Sequence, residues 1–149
     1  MLTNRDKQYL RAVFLLQGST RPVGPMELAL KMGVSKVCAF QKMRRLEAMG
    51  YGEYFLRKGL KLNSLGVLII ERDIKNHHIL EKFLEDTLKI TSREACDQSN
   101  HIGPFISEKL INNIADKIGA KTNCNCGNCL ETPKNYSELE HCHWLKKSI

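Results

Sequence analysis

Four of the chain's six cysteines fall in its last 26 residues, as Cys124-x-Cys126-x-x-Cys129 and then Cys142 between His141 and His143. Thiolates are soft anionic donors. Three of them within six residues of a loop containing Gly127 can wrap one inorganic centre, with Cys142 as a fourth ligand. Four thiolates suit an iron–sulfur cluster or a tetrahedral Zn2+. Structural zinc sites usually carry two Cys-x-x-Cys pairs, and this stretch has one. The expected order is therefore an iron–sulfur cluster, then zinc, then a metal-free tail, with His141 and His143 as substitute ligands.

A second constellation lies mid-chain. His77 and Glu81 are four residues apart, so on a helix both point to one side and can share an ion. Imidazole with carboxylate suits Fe(II), Mn(II) or Zn(II). The plainer alternative is a histidine bonded to its own helix neighbour. His78 is expected to point elsewhere. Cys38 and Cys96 stand alone.

The third feature is charge. Residues 1–63 hold 12 of the 23 Lys and Arg but 4 of the 16 Asp and Glu, so the net charge of +7 resides in the first half. A basic half joined to a near-neutral half rich in Cys and His points to polyanion binding in one and a response to something in the other. The polar N-terminus Met1-Leu2-Thr3-Asn4-Arg5-Asp6-Lys7 is unlike a secretory leader, and no apolar run nears the ~20 residues that span a bilayer. A cytoplasmic protein without a membrane partner is expected. Clustered thiols in that reducing compartment mean metal or redox chemistry rather than disulfides.

Periodicity supplies the elements that must position these groups. Helices are expected over 6–17, 25–32 with Pro25 in its first turn, and 36–49 with Ser35 as cap and Gly50 as stop. Short strands over 51–56 and 60–62 flank a tip at Arg57-Lys58-Gly59. Long helical segments over 64–88, 91–101 and 107–118 follow, the last with a stripe of Leu110, Ile111, Ile114 and Ile118. Helix, helix, turn, helix and basic hairpin is the order of a winged helix-turn-helix. In that reading Ser35, Lys36, Val37 and Gln41 face base edges. Lys42, Arg44 and Arg45, with Arg57, Lys58 and Lys61 of the hairpin, face phosphates. A merely solvated basic face is the bland alternative.

From about residue 7 to 118 the chain resembles the diphtheria-toxin-repressor (DtxR/MntR) family of metal-dependent transcription regulators. The resemblance rests on Tyr9-Leu10-Arg11, on Arg45-Leu46-Glu47 before Gly50-Tyr51, and on Leu60-Lys61-Leu62-Asn63-Ser64-Leu65-Gly66. It is strongest in His77-His78-Ile79-Leu80-Glu81-Lys82-Phe83-Leu84 followed by Glu94-Ala95-Cys96. It implies a homodimer built from the helices after the wing, a palindromic operator, and a divalent metal, Fe2+ or Mn2+, that promotes DNA binding. It also implies a metal site made of Cys96, His101, His77 and Glu81. The family's first-helix ligand positions hold Gln8 and Arg11 here. Its Glu-His pair is replaced by Ser99 and Asn100, with His101 one place late.

The expected architecture is mainly α with a small β-wing: a DNA-binding winged helix-turn-helix over 1–63, a helical dimerisation and metal-sensing domain over 64–119, and a Cys-rich cluster- or metal-binding tail over 120–149. The expected function is a dimeric DNA-binding regulator that senses iron or redox state. The alternative is a winged-helix accessory module of metal transport with a structural zinc or iron–sulfur site. No Gly-rich phosphate loop, nucleophile elbow or catalytic carboxylate pair is evident. Neither enzymatic activity nor a small-molecule substrate is expected.

Overall fold

A computed structural model describes residues 1–119, so the four tail cysteines, His141 and His143 lie outside the described residues. The elements in order are α1 Asn4–Leu15, α2 Pro25–Met32, α3 Lys36–Ala48, β1 Gly52–Phe55, β2 Gly59–Leu62, α4 Ser64–Leu88, α5 Ser92–Ile102, a 3-10 turn Gly103–Phe105, and α6 Glu108–Ile118. They form two compact units, one of residues 1–70 and one beginning at Glu71. The fold is mainly helical with a two-stranded antiparallel wing. Among the described residues no helix is long and apolar enough to cross a membrane.

Local chemistry sets the helix ends. Thr3 and Asp6 form a capping box at the start of α1: the Thr3 hydroxyl accepts from Asp6 N–H, and the Asp6 carboxylate accepts from Thr3 N–H. The end of α1 departs from the expected residue 17. Gln17 adopts φ +64° and donates its N–H to the Phe14 carbonyl, and Gly18 donates to the Val13 carbonyl at 2.8 Å. This is a Schellman stop in which the glycine serves close approach instead of the left-handed turn. A Cβ on Gly18 would lie 2.6 Å from the Val13 oxygen. Pro25 opens α2, Gly33 closes it in the left-handed region, and Ser35 caps α3 by accepting from Cys38 N–H at 3.1 Å.

The wing pairs Gly52 with Leu62, Glu53 with Lys61, Tyr54 with Leu60 and Phe55 with Gly59. Gly59 was expected at the tip and instead begins the returning strand. There it has φ +117° and abuts the Val23 carbonyl, because Val23 bonds to Leu60 in both directions. That bridge fastens the wing to the chain ahead of α2. Tyr9, Leu10, Val13, Leu28, Met43, Leu46 and Leu60 form the buried core beneath α3 and the wing.

In the second unit Ile79, Leu80, Leu84, Ala95, Ile111 and Ile114 form the core, joined by Phe83, Ile90, Ile106, Ala115 and Ile118. Thr91 and Glu94 make a capping box on α5, and Ser107 caps α6. Leu110, expected in the apolar stripe of α6, is exposed; Ile111 and Ile114 carry the burial. The expected break at Gly103-Pro104 is the 3-10 turn.

Candidate nucleic-acid interface and metal centre

The cations of α3 divide into two groups. Lys36, Val37 and Gln41 are exposed, and neither the Lys36 nor the Gln41 side chain makes a hydrogen bond or ion pair among the described residues. Lys42 and Arg45, expected on phosphates, reach back to α1 and remain partly exposed. Lys42 Nζ lies 3.1 Å and Arg45 Nε 3.2 Å from Asp6 Oδ1, whose side chain has no solvent exposure. Burial of Asp6 opposes its charge. Hydrogen bonds from Arg45, Thr3 and Lys42 outweigh that and hold its carboxyl well below the usual carboxylate range. Arg44 pairs with Glu47 and lies 5.5 Å over the Tyr54 ring, while Glu47 accepts from Tyr54 N–H at 2.9 Å. These three cations orient the helix against α1 and the wing.

Ser35, expected at a base edge, uses its oxygen as the α3 cap. Phe40, which sequence reasoning passed over, is exposed on α3 and packs edge-on against Tyr54. Cys38 is half-buried with its Sγ 3.5 Å from the Tyr9 hydroxyl. Burial, then the Cys38 contact, raises the Tyr9 pKa. On the wing, Arg57 and Lys58 are exposed at the tip, and Lys61 stands cross-strand from Glu53. The apex therefore presents cations to solvent, with Arg57 in the left-handed region at φ +62°.

The second unit gathers a compact donor set on α4. His77, His78 and Glu81 each offer a ligand atom, all within 4.8 Å of one another. Glu81 Oε2 lies 3.1 Å from His78 Nδ1 and 3.8 Å from His77 Nε2. Both imidazoles are buried, and their rings meet edge-on with centroids 5.4 Å apart. His78 thus belongs to the group, contrary to the expectation that it points elsewhere. The signal was in the spacing: Glu81 is four residues after His77 and three after His78, so one acid serves both.

Buried Cys96 on α5 brings its Sγ to 3.6 Å from His77 Nε2. Ser99, one turn further along the same buried face, is 1% exposed, and its hydroxyl has no hydrogen-bond partner among the described residues. His101 does not join this group; it is exposed, and its Nδ1 lies 2.7 Å from the Asp97 carbonyl of its own helix. On α1, Gln8 accepts from Arg5 at 2.9 Å. The two buried imidazoles and the half-buried carboxylate, with the Cys96 thiol beside His77, are donors suited to a divalent transition ion.

The comparisons with known proteins agree with this division. The model described as iron dependent repressor, N-terminal DNA binding domain, matches residues 1–60, and that described as iron dependent repressor, metal binding and dimerisation domain, matches residues 64–130. Among solved structures, a Sulfolobus solfataricus protein, SSo2273, matches with a TM-score of 0.75 at 22% identity, over 85% of this chain and 97% of that one. ScaR with bound Zn2+ matches with a TM-score of 0.70 at 20% identity, over 80% of this chain and 56% of that one. A manganese-dependent transcriptional repressor in complex with manganese matches at 0.61 and 25% identity, over 76% and 52%. The likeness to the first two is one of fold. This chain spans little more than half the length of the two metal-bound regulators. No curated protein matches it in sequence. With a DNA-binding model covering its front unit and a metal-binding model covering its second, the chain belongs to the iron-dependent repressor family of metal-dependent transcription regulators.

Proposed function

We propose that the chain acts as a homodimer that grips a palindromic duplex through α3 and the wing, and that a divalent metal held by His77, Glu81 and Cys96 strengthens that grip. The observation that carries this reading is the buried donor cluster on the chain segment that follows a cationic winged helix-turn-helix. Lys36, Val37 and Gln41 face base edges beside Ser35, and Arg57, Lys58 and Lys61 lie along phosphates. Lys42, Arg44 and Arg45 set the tilt of α3. Metal at α4 and α5 fixes the second unit of each protomer and so the spacing of the two recognition helices, to which half-sites about one DNA turn apart are sensitive. Fe2+, Mn2+ and Zn2+ all suit imidazole and carboxylate donors.

We assign Cys124, Cys126, Cys129 and Cys142 to a second inorganic centre that shares in sensing, an iron–sulfur cluster with Zn2+ as the alternative. The support is their spacing alone. Anaerobic purification with iron and sulfide analysis tests it. A colourless protein with stoichiometric zinc rejects the cluster.

DNA binding is tested by the dependence of affinity on salt. Phosphate contacts release counterions, so log affinity falls steeply with log salt, and Arg57→Ala or Lys58→Ala each flattens the slope by about 1. A flat slope favours instead an accessory module that binds another protein.

A further inference from the structure

Resting on the DNA reading above, we propose that Phe40 is a specificity-determining residue, its ring packing on the methyl group of a thymine next to the base that Gln41 reads. α3 turns outward a face made of Lys36, Val37, Phe40, Gln41 and Arg44, while Ala39, Met43 and Leu46 sink into the core. Two large apolar side chains stand in that face one turn apart, Val37 at 64% and Phe40 at 42% exposure. Single exposed apolar residues need no explanation. An apolar pair set among the cations and the amide of a helix that enters the major groove has a partner there. The distinctive apolar group of that groove is the thymine methyl; the other base-edge groups are hydrogen-bond donors and acceptors.

Phe40 is also braced. Its ring meets Tyr54 of β1 edge-on at 82°, with centroids 5.5 Å apart. The Arg44 guanidinium lies over the Tyr54 ring, and Glu47 accepts from both Arg44 and the Tyr54 N–H. A ring held from the wing side has little rotamer freedom left to lose when it meets DNA. The brace still leaves the exposed part of the ring on the same face as Gln41, the next residue along. Gln41 can bond adenine bidentately while Phe40 covers a neighbouring methyl, so the pair recognises an A·T-containing step by two different chemistries.

The test first selects an operator from random duplexes with the full chain, without metal and with Fe2+, Mn2+ and Zn2+ added in turn. Each thymine of a half-site is then replaced by deoxyuridine, which removes the methyl and keeps the base pairing. Binding is read by anisotropy. The exchange leaves the protein untouched, so the first result does not depend on any variant folding. At one position affinity should fall about fourfold, the worth of one buried methyl, and about fifteenfold when both half-sites are changed. In Phe40→Ala and in Phe40→Gln, each checked for folding by circular dichroism, the thymine and uracil duplexes should bind alike at that position. Discrimination at the base read by Gln41 should remain. An operator indifferent to the loss of every thymine methyl overturns this proposal and leaves the DNA reading intact. So does a methyl effect that survives undiminished in the Phe40 variants. Failure to enrich any duplex under all four conditions overturns both.

Discussion

Asp6→Asn removes the buried carboxylate on which Lys42, Arg45 and Thr3 converge, while keeping nearly the same shape. The loss has two parts. The amide accepts weaker, neutral hydrogen bonds where charged ones of about 1.5–3 kcal/mol stood. The two cations lose their counter-charge, but their side chains are 27% and 46% exposed, so water screens much of that cost. Together these give about 2–4 kcal/mol, which lowers the melting temperature by about 5–15 °C for a chain of this size. The pH profile separates the charge from the shape. The folded carboxyl titrates well below its ordinary value of 3.8, so the pair's contribution is complete above about pH 4 and is lost as acidity carries the protein down toward the folded pKa. Urea denaturation of both proteins from pH 7 to pH 3 should show a constant stability gap down to about pH 5 that begins to narrow below pH 4. A gap under about 0.5 kcal/mol at pH 7, or one that persists unchanged in acid, refutes the assignment of Asp6 as the charged anchor of α3.

Gly59→Ala would drive a Cβ into the Val23 carbonyl at a φ of +117°, so it should cost about 3 kcal/mol or more and free the wing, read as lost protection of the Leu60 amide in hydrogen exchange. Ser99→Ala deletes an unpartnered buried hydroxyl; the metal-free protein should gain about 1 kcal/mol in denaturant titration while metal affinity falls. Gln41→Ala should narrow the difference between operator and random duplex by about 1–3 kcal/mol, whereas Arg57→Ala should weaken both alike, as measured by anisotropy.

Local signals were legible in the sequence because they act locally. Pro25, Gly33, Ser35 and Gly50 bound their helices by backbone rules that need no tertiary partner, and the long α4 starts and stops where its periodicity does. The end of α1 was misread because Gly18 is required by contact with Val13, which leaves Gln17 to make the left-handed turn. The partner of Lys42 and Arg45 was hidden for a different reason: Asp6 lies 36 and 39 residues away, and a basic helix looks the same whether its cations face DNA or a buried acid. His77 with Glu81 was readable as a pair. The place of His78 was missed by treating adjacent helix residues as divergent when both reach one carboxylate. Cys96 was recognised through family resemblance, and its approach to His77 comes from the packing of α5.

The central claim joins metal at α4 and α5 to DNA at α3 and the wing. Selection of bound duplexes from a random pool, with metal-free protein and with protein loaded in turn with Fe2+, Mn2+ and Zn2+, tests it most directly. The wild type should enrich a palindrome with half-sites about one turn apart only when loaded, and His77→Ala should enrich none under any condition. Enrichment of the same sequence by metal-free wild type and by His77→Ala would contradict it.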